Sequence, residues 1–386
     1  MNSVQITRKG EARLESGHPW IFASDISNRG SAQPGEAVRV TNQKGRCLGV
    51  AHYSSTSQIT LRLLSHTDEP LTRGFFFARL KAALEHRLRV APAATSYRLV
   101  HAEGDLLPGL IIDRYGDYLV LQLLDQGMDA VRHTLTDCLT ELLAPKGIIA
   151  RNDVPVRRLE SLSQAPEILS GEIPERVPVT LNHLALHADL RRGQKTGVYL
   201  DQRENYLAAA RFARGRALDC FTSTGGFALH LAAACDSVEA VDSSPDALTT
   251  AQANAQANSI ANITFREANA FDYLSGLATA RRQFDTIVLD PPAFAKSRTT
   301  LDSALRGYKE INFKALKLLP PGGTLVTCSC SHHVSESSLF DVVAQAALDA
   351  RRTLRVLDRR TQAQDHPILL TVPETLYLKC LILEVL

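Results

Sequence analysis

The sequence is poor in the features that several large protein classes require. No run of about 18 apolar residues occurs, so no transmembrane helix is expected. The opening Met1-Asn2-Ser3-Val4-Gln5 has no apolar signal core, which argues against secretion. Neither sign of charge dominates. Against 41 acidic residues stand 43 basic ones, a net charge of +2, which excludes a histone-like polycation and leaves room for a local basic groove. Seven cysteines, an odd number scattered over a long chain, do not resemble a disulfide framework, and a reduced, cytoplasmic setting is expected. There is no G-x-G-x-x-G, no Gly-Lys-Ser/Thr P-loop, no internal repeat and no low-complexity tract. What remains is ordinary for a globular protein: 45% hydrophobic and 22% charged residues, in 386 residues that allow about two to three domains.

The first 70 residues read as a small all-β unit. Strand patterns at 35–40, 47–53 and 59–64 are separated by turn residues, a spacing that suggests a small barrel. Over residues 1–75, nine basic residues face six acidic ones, which is compatible with RNA. The lone Trp20 reads as barrel core rather than a base-stacking site. A helix is expected over 73–91, stopped by Pro92. Strands at 107–113 and 118–124 flank Gly116-Asp117 as a hairpin, and a helix at 129–143 and a strand at 147–151 complete an α+β unit. Residues 161–180 read as a linker. From about residue 181 strands and helices alternate. Strands are expected at 217–220, 238–242, 263–265, 285–290 and 323–328, and helices at 227–234 and 246–258, with Ser244 as N-cap. The fold class is α/β, a doubly wound and mostly parallel sheet preceded by two smaller domains.

Four motifs carry the chemistry. Asp219-Cys220-Phe221-Thr222-Ser223-Thr224-Gly225-Gly226-Phe227 lies at a strand-to-helix junction, where α/β proteins bind ligands. Its paired glycines would let a ligand approach the backbone. Asp242 ends the next strand and is suited to ribose hydroxyls. With no pyrophosphate fingerprint, an adenosine ligand such as S-adenosylmethionine fits best. Asp290-Pro291-Pro292-Ala293-Phe294 leaves the sheet as a stiff loop. It presents a carboxylate suited to a cytosine edge, with an aromatic ring nearby that could stack on a base.

Thr327-Cys328-Ser329-Cys330-Ser331-His332-His333 invites a metal reading. Residues two apart on a strand stand about 7 Å apart, whereas two sulfurs on one zinc are at most about 4.6 Å apart, so no metal is expected. A buried inert cysteine and a nucleophile remain. A thiolate that adds to C6 of a pyrimidine makes C5 nucleophilic, the covalent help that C5 methylation needs. The fourth motif, Gln194 to Asn205, crowds polar residues before the first core strand.

In this order, and beside a small β domain that opens Gly17-His18-Pro19-Trp20-Ile21-Phe22, these motifs resemble the RlmI-like family of 23S rRNA (cytosine-C5) methyltransferases over essentially the whole chain. The strongest combination is Lys195-Thr196-Gly197 with Leu200-Asp201-Gln202-Arg203, Asp290-Pro291-Pro292 and Ser329-Cys330-Ser331. The resemblance implies three domains: a PUA-like RNA-binding domain (1–72), a central α+β domain (73–180) and a class I methyltransferase domain with a Rossmann-like sheet (181–386). It implies S-adenosyl-L-methionine as cofactor and 23S rRNA as partner, with no membrane and with a homodimer left open. Cys330, not Cys328, maps to the nucleophile, and Asp290 to the residue that holds the base. The cofactor set is Lys195, Thr196, Tyr199, Asp201, Gln202, Asp219, Phe221, Thr222, Gly225, Gly226, Phe227, Asp242, Ser243, Asn269, Ala270 and Asp290. Asn269 stands where the family commonly has an acidic residue. Arg151, Arg157, Arg158, Arg191 and Arg192 are candidates for phosphate contacts. Two alternatives stay open: a methyltransferase for uracil C5, an exocyclic amine or another RNA, and an RNA-binding factor without catalysis.

Overall fold

Gly116 and Asp117 form a two-residue turn with Gly116 at φ 61°, and it pairs Leu110–Tyr115 with Tyr118–Leu123 in register from Tyr115 opposite Tyr118. This expected hairpin is the centre of one of three large sheets in the computed structural model, which describes all residues except 194, 195, 296 and 297. The chain divides into two compact units: Met1–Leu181 with Ala188–Val198 and Gln364–Thr375, and Asn182–His187 with Tyr199–Ala363 and Leu376–Leu386.

The first unit holds two sheets. The N-terminal one has six strands in the order Trp20–Phe22, Ile59–Ser65, Cys47–Tyr53, Ala37–Thr41, Ser3–Ile6, Ile26–Asn28. Its two end strands are consecutive in the chain, joined only by the 3-10 turn Ala23–Asp25. A sheet whose edges are so tied must curl round its apolar face, and Val4, Ile6, Ile21, Val38, Val40 and Leu61 fill the inside. The sequence reads as all-β in this part, but Arg8–Glu15 forms a helix capped by the Thr7 hydroxyl. That helix is almost wholly polar and buries only Gly10 and Leu14, which leaves little periodicity to read. Trp20 is half-buried rather than core. Its Nε1 donates to Glu103 Oε1 at 2.8 Å, and its ring meets His18 edge-on.

The second sheet runs Glu167–Gly171, Gly147–Ala150, Tyr118–Leu123, Leu110–Tyr115, Ser96–His101, and helices Arg73–Val90 and Arg132–Leu143 belong to its core. The expected helix at 129–143 is two, broken at Val131. The stretch read as a linker supplies the edge strand Glu167–Gly171, whose exposed and half-buried residues carry no apolar alternation. Two of the arginines offered for phosphate are structural. Arg151 pairs with Asp153 and donates to the Leu190 and Gly193 carbonyls, and Arg157 pairs with Asp129 and donates to the Leu123 and Ser163 carbonyls. Both are buried, whereas Arg158, Arg191 and Arg192 are exposed.

The second unit is built on a seven-stranded sheet: β1 (Arg216–Cys220), β2 (Ser237–Asp242), β3 (Ile263–Glu267), β4 (Thr286–Leu289), β5 (Thr324–Ser329), β6 (Leu354–Arg360) and β7 (Lys379–Val385), in the order β3-β2-β1-β4-β5-β7-β6. The first five are parallel, and β7 runs antiparallel to both its neighbours. Buried Leu218, Ile287, Val288 and Leu325 make the central strands apolar on both faces, as a sheet covered by helices requires. Ser244 caps Pro245–Ala257 by accepting the Ala247 N–H, as expected.

Candidate active site

Parallel strands end on one edge, so the residues that follow β1, β2, β4 and β5 lie side by side. The chain runs outward from β1 to β3 and then restarts at β4 on the other side of β1. Strand order reverses there, and in open α/β sheets that crevice receives ligands. Cys220 is in register with Val241 and Leu289, and Leu289 with Thr327, which brings the first three motifs to one edge.

The loop after β1 is a string of unusual backbone conformations. Phe221, Ser223 and Gly225 have φ of 64°, 50° and 90°. Side-chain-bearing residues hold positive φ only where their surroundings enforce it. Here the Thr222 N–H donates to Val241 O at 3.0 Å and the Ser223 N–H to Asp242 Oδ2 at 2.8 Å, while Asp242 Oδ1 accepts the Ser244 N–H. Asp242 thus ties the first loop to the second, and Ser243 beside it is exposed. Gly226 leaves room for a side chain. A Cβ there would meet the Tyr206 ring at 2.4 Å. Tyr206 in turn packs edge-on against Phe227, at 4.7 Å between centroids. Phe227 and Ala270 are buried, and Phe221 packs partly buried on the core.

Asp219 lies wholly buried at the foot of this loop. Its Oδ2 accepts the Thr222 hydroxyl at 2.6 Å and the Ala228 N–H at 2.9 Å, and its buried Oδ1 has no partner among the described residues. Burial, followed by the charges of Asp290 and Asp242, pushes its carboxyl up from 3.8 to about 7 against those two donors. Between these values the folded chain holds a proton that the unfolded chain has released. Stability from this group is therefore present in acid and falls as pH rises toward 7, by up to about 1.4 kcal/mol per pH unit. Asp219→Asn should flatten the decline of Tm between pH 5 and 7 relative to wild type. Parallel curves for the two proteins would contradict the assignment.

Asp290 is set by a directed chain of hydrogen bonds. Arg360 Nε donates to Asn205 Oδ1 at 2.9 Å, Asn205 Nδ2 to Gln202 Oε1 at 2.7 Å, and Gln202 Nε2 to Asp290 Oδ1 at 3.0 Å. Since arginine can only donate, every amide in the series is oriented, and a donor reaches the carboxylate. Asn205 is wholly buried and Gln202 nearly so, which keeps water from replacing the links. Asp201 performs a different task. Its carbonyl accepts the Ala363 N–H at 2.9 Å and its Oδ2 the Tyr377 hydroxyl at 2.8 Å, so both ends of the excursion Gln364–Thr375 are fastened to one residue.

Cys328 and Cys330 part company at the end of β5. Cys328 faces Cys380 of β7 in register and is wholly buried, and burial pushes its thiol well above the usual range. Cys330 lies past the strand, partly exposed, with Sγ 3.9 Å from the Pro291 carbonyl oxygen. Tyr308 of the helix Leu301–Leu318 fixes its neighbours. Ser329 Oγ donates to the Tyr308 hydroxyl at 2.9 Å, Ser331 Oγ lies 3.1 Å from it, and Ser331 Oγ also accepts the Ala295 N–H. Phe294, expected as a stacking ring, is partly buried and packs on Tyr308 at 4.7 Å between centroids.

The remaining expected residues make contacts of their own. Thr196 belongs to the first unit, where its hydroxyl donates to Asp113 Oδ2 at 2.6 Å and lies 2.9 Å from the Tyr115 hydroxyl. Lys195 lies outside the described residues. Asn269 spends its side-chain oxygen on capping the helix Ala270–Thr279. Tyr199 is half-buried, with its carbonyl facing the Tyr206 hydroxyl at 3.5 Å. The sequence alone does not mark Arg360, Tyr377 and Tyr308, since none belongs to a motif and their partners lie up to 176 residues away, and Asn205 closes the fourth motif without showing what it orients.

A family model for S-adenosylmethionine-dependent methyltransferases matches residues 98–375, and one for PUA-like domains matches 4–66. The chain is 42% identical to the ribosomal RNA large subunit methyltransferase I of Shewanella amazonensis, with 97% of each chain covered. It is 39% identical to that of Vibrio cholerae over 98% of each. Its fold is that of the crystal structure of SMU.776 complexed with SAH, with a TM-score of 0.87 at 20% identity over the full length of both chains.

Proposed function

The chain belongs to the ribosomal RNA large subunit methyltransferase I family of S-adenosylmethionine-dependent methyltransferases, and from that membership we propose that it methylates C5 of a cytosine in 23S rRNA through a covalent bond between Cys330 and C6. The observation that carries the cytosine-C5 reading is the placement of a partly exposed thiol against the turn that follows Asp290.

The residues of the crevice fit the cofactor. S-adenosylmethionine bears a sulfonium and an ammonium, and the crevice is rich in carboxylates, one of them Asp219 with a buried and unpartnered oxygen. Asp219, Asp242, the backbone of 221–225 and Gln202 would hold it. When bound, it supplies an electrophilic methyl group. The chain's own groups do the rest. The Cys330 sulfur bonds to C6 of the base, and electron density moves to C5. Asp290, oriented by Gln202, accepts from the exocyclic amine and keeps the ring in place. Once C5 carries its methyl, loss of the C5 proton restores the double bond, the C6–S bond breaks, and Cys330 is released.

We assign residues 1–72 to RNA binding, 73–180 to a central module and 181–386 to catalysis, in a cytoplasmic protein. Among the described residues no helix is long and apolar enough to cross a membrane. Transfer of labelled methyl to total RNA, followed by nucleoside analysis, tests the reading. The label should appear as 5-methylcytosine in 23S rRNA, and label in an N-methylated nucleoside would overturn it.

A further inference from the structure

Lys379 belongs to no sequence motif, and the site as described above gives it no task. It opens β7 directly opposite Ser329 of β5, with its side chain 4% exposed. Its Nζ donates to the Ser331 carbonyl at 2.7 Å and to the Tyr377 carbonyl at 2.9 Å. The residue is thus tied to both neighbours of Cys330: its backbone pairs with Ser329 in the sheet, and its ammonium donates to the Ser331 carbonyl. Among the described residues it forms no ion pair with a carboxylate. Burial draws its pKa down to about 8, offset in part by the two acidic groups nearest in effect, Cys330 first and Glu336 second. Most of it is therefore still charged at neutral pH.

We infer that Lys379 sets the protonation of Cys330. Its fixed ammonium raises the thiolate fraction of Cys330 before any base is bound, and the thiol proton goes to bulk water. A buried positive charge favours the charged form of a neighbouring acid, and a free thiol near 8.5 is otherwise mostly protonated. Among the described residues, the acids and the buried neutral groups around this loop do not supply that charge. Asp290 beyond β4 and Glu336 at the start of the helix Glu336–Asp349 are acids. Tyr308 and Cys328 are held neutral by burial, and Cys380 faces Cys328. His332 lies against the Tyr377 ring.

The inference rests on Cys330 as the nucleophile, and its test does not depend on RNA. Iodoacetamide alkylation of the full chain, followed at the Cys330 peptide as a function of pH, reports the thiol directly. The wild-type midpoint should lie below 8.5. Lys379→Met, and Lys379→Gln, which keeps an amide donor for the carbonyls, should raise it by about one unit, slowing alkylation about tenfold at neutral pH. Lys379→Arg should leave it low. An unshifted midpoint in either folded uncharged variant overturns the inference. So does a wild-type midpoint at or above 8.5, a measurement that needs no variant to fold. A shifted midpoint without any covalent RNA adduct would leave Lys379 in this role and remove the C5 chemistry. An adduct with an unshifted midpoint would do the reverse.

Discussion

Cys330→Ala should abolish methyl transfer, lowering the single-turnover rate by a factor on the order of 10⁴ or more, or about 5.5 kcal/mol of barrier. The base carbon C5 has too little nucleophilicity without addition at C6, so the loss falls on chemistry and not on binding. Cofactor and RNA affinity should remain near wild type, which calorimetry and a filter-binding assay would show. Cys328→Ala is the control that the structure makes informative. Two residues apart on a regular strand, the two cysteines would share a face, but β5 ends at Ser329 and only Cys330 leaves the sheet. Cys328 is wholly buried against Cys380, its thiol held protonated. Its removal should cost about 1–2 kcal/mol of stability through the small cavity it leaves and spare the rate per folded molecule. RNA with 5-fluorocytosine at the target should trap a covalent adduct with wild type, because fluorine blocks the final proton loss. An adduct that maps to Cys328, or full activity in Cys330→Ala, would sink the assignment.

Asp290→Asn should lower the same rate by about 10²–10⁴-fold, the range for a positioned acid or base group in the transition state. The isosteric change keeps the loop intact but presents an amide donor where the Gln202 amide already donates and where the exocyclic amine of cytosine would donate too. One of these meetings must fail. Gln202→Leu removes only the orienting bond and should cost nearer tenfold. If Asp290→Asn and Gln202→Leu lower the rate equally, the carboxylate acts only through its place in the hydrogen-bond series. A rate near wild type in Asp290→Asn would remove it from the mechanism.

How far sequence reasoning carries can be judged from the same residues. The strands β1 to β5 are legible because buried parallel strands are short apolar runs, and the motifs at their ends stand out as glycine, proline and acidic clusters at fixed intervals. The series from Arg360 to Asp290 is not legible, since its members are joined across 155 residues by a fold that must exist first. Gly226 shows a subtler limit. Close approach was the right physical reason for a glycine, but the approaching group is the ring of Tyr206, and glycine alone does not say what comes near. Arg157 shows the opposite case, where a charge that looked available for phosphate is spent on backbone carbonyls within its own unit.

The fastening of Ala363 and Tyr377 to Asp201 has a consequence for how this chain can change over time. The second unit loses the thread at residue 363 and regains it at 376, yet the two ends are clasped together at one point, like the neck of a drawn purse. Whatever length of chain lies beyond the clasp, the seven-stranded sheet meets the same two ends. The excursion turns tightly at Leu369 and Val372, with Leu370 98% exposed at the tip. Doubling a loop adds only about 0.6 kcal/mol to its closure. Insertions at Leu370 are therefore cheap edits, a place where descendants of the chain can gain new surface while the two ends held by Asp201 stay as they are.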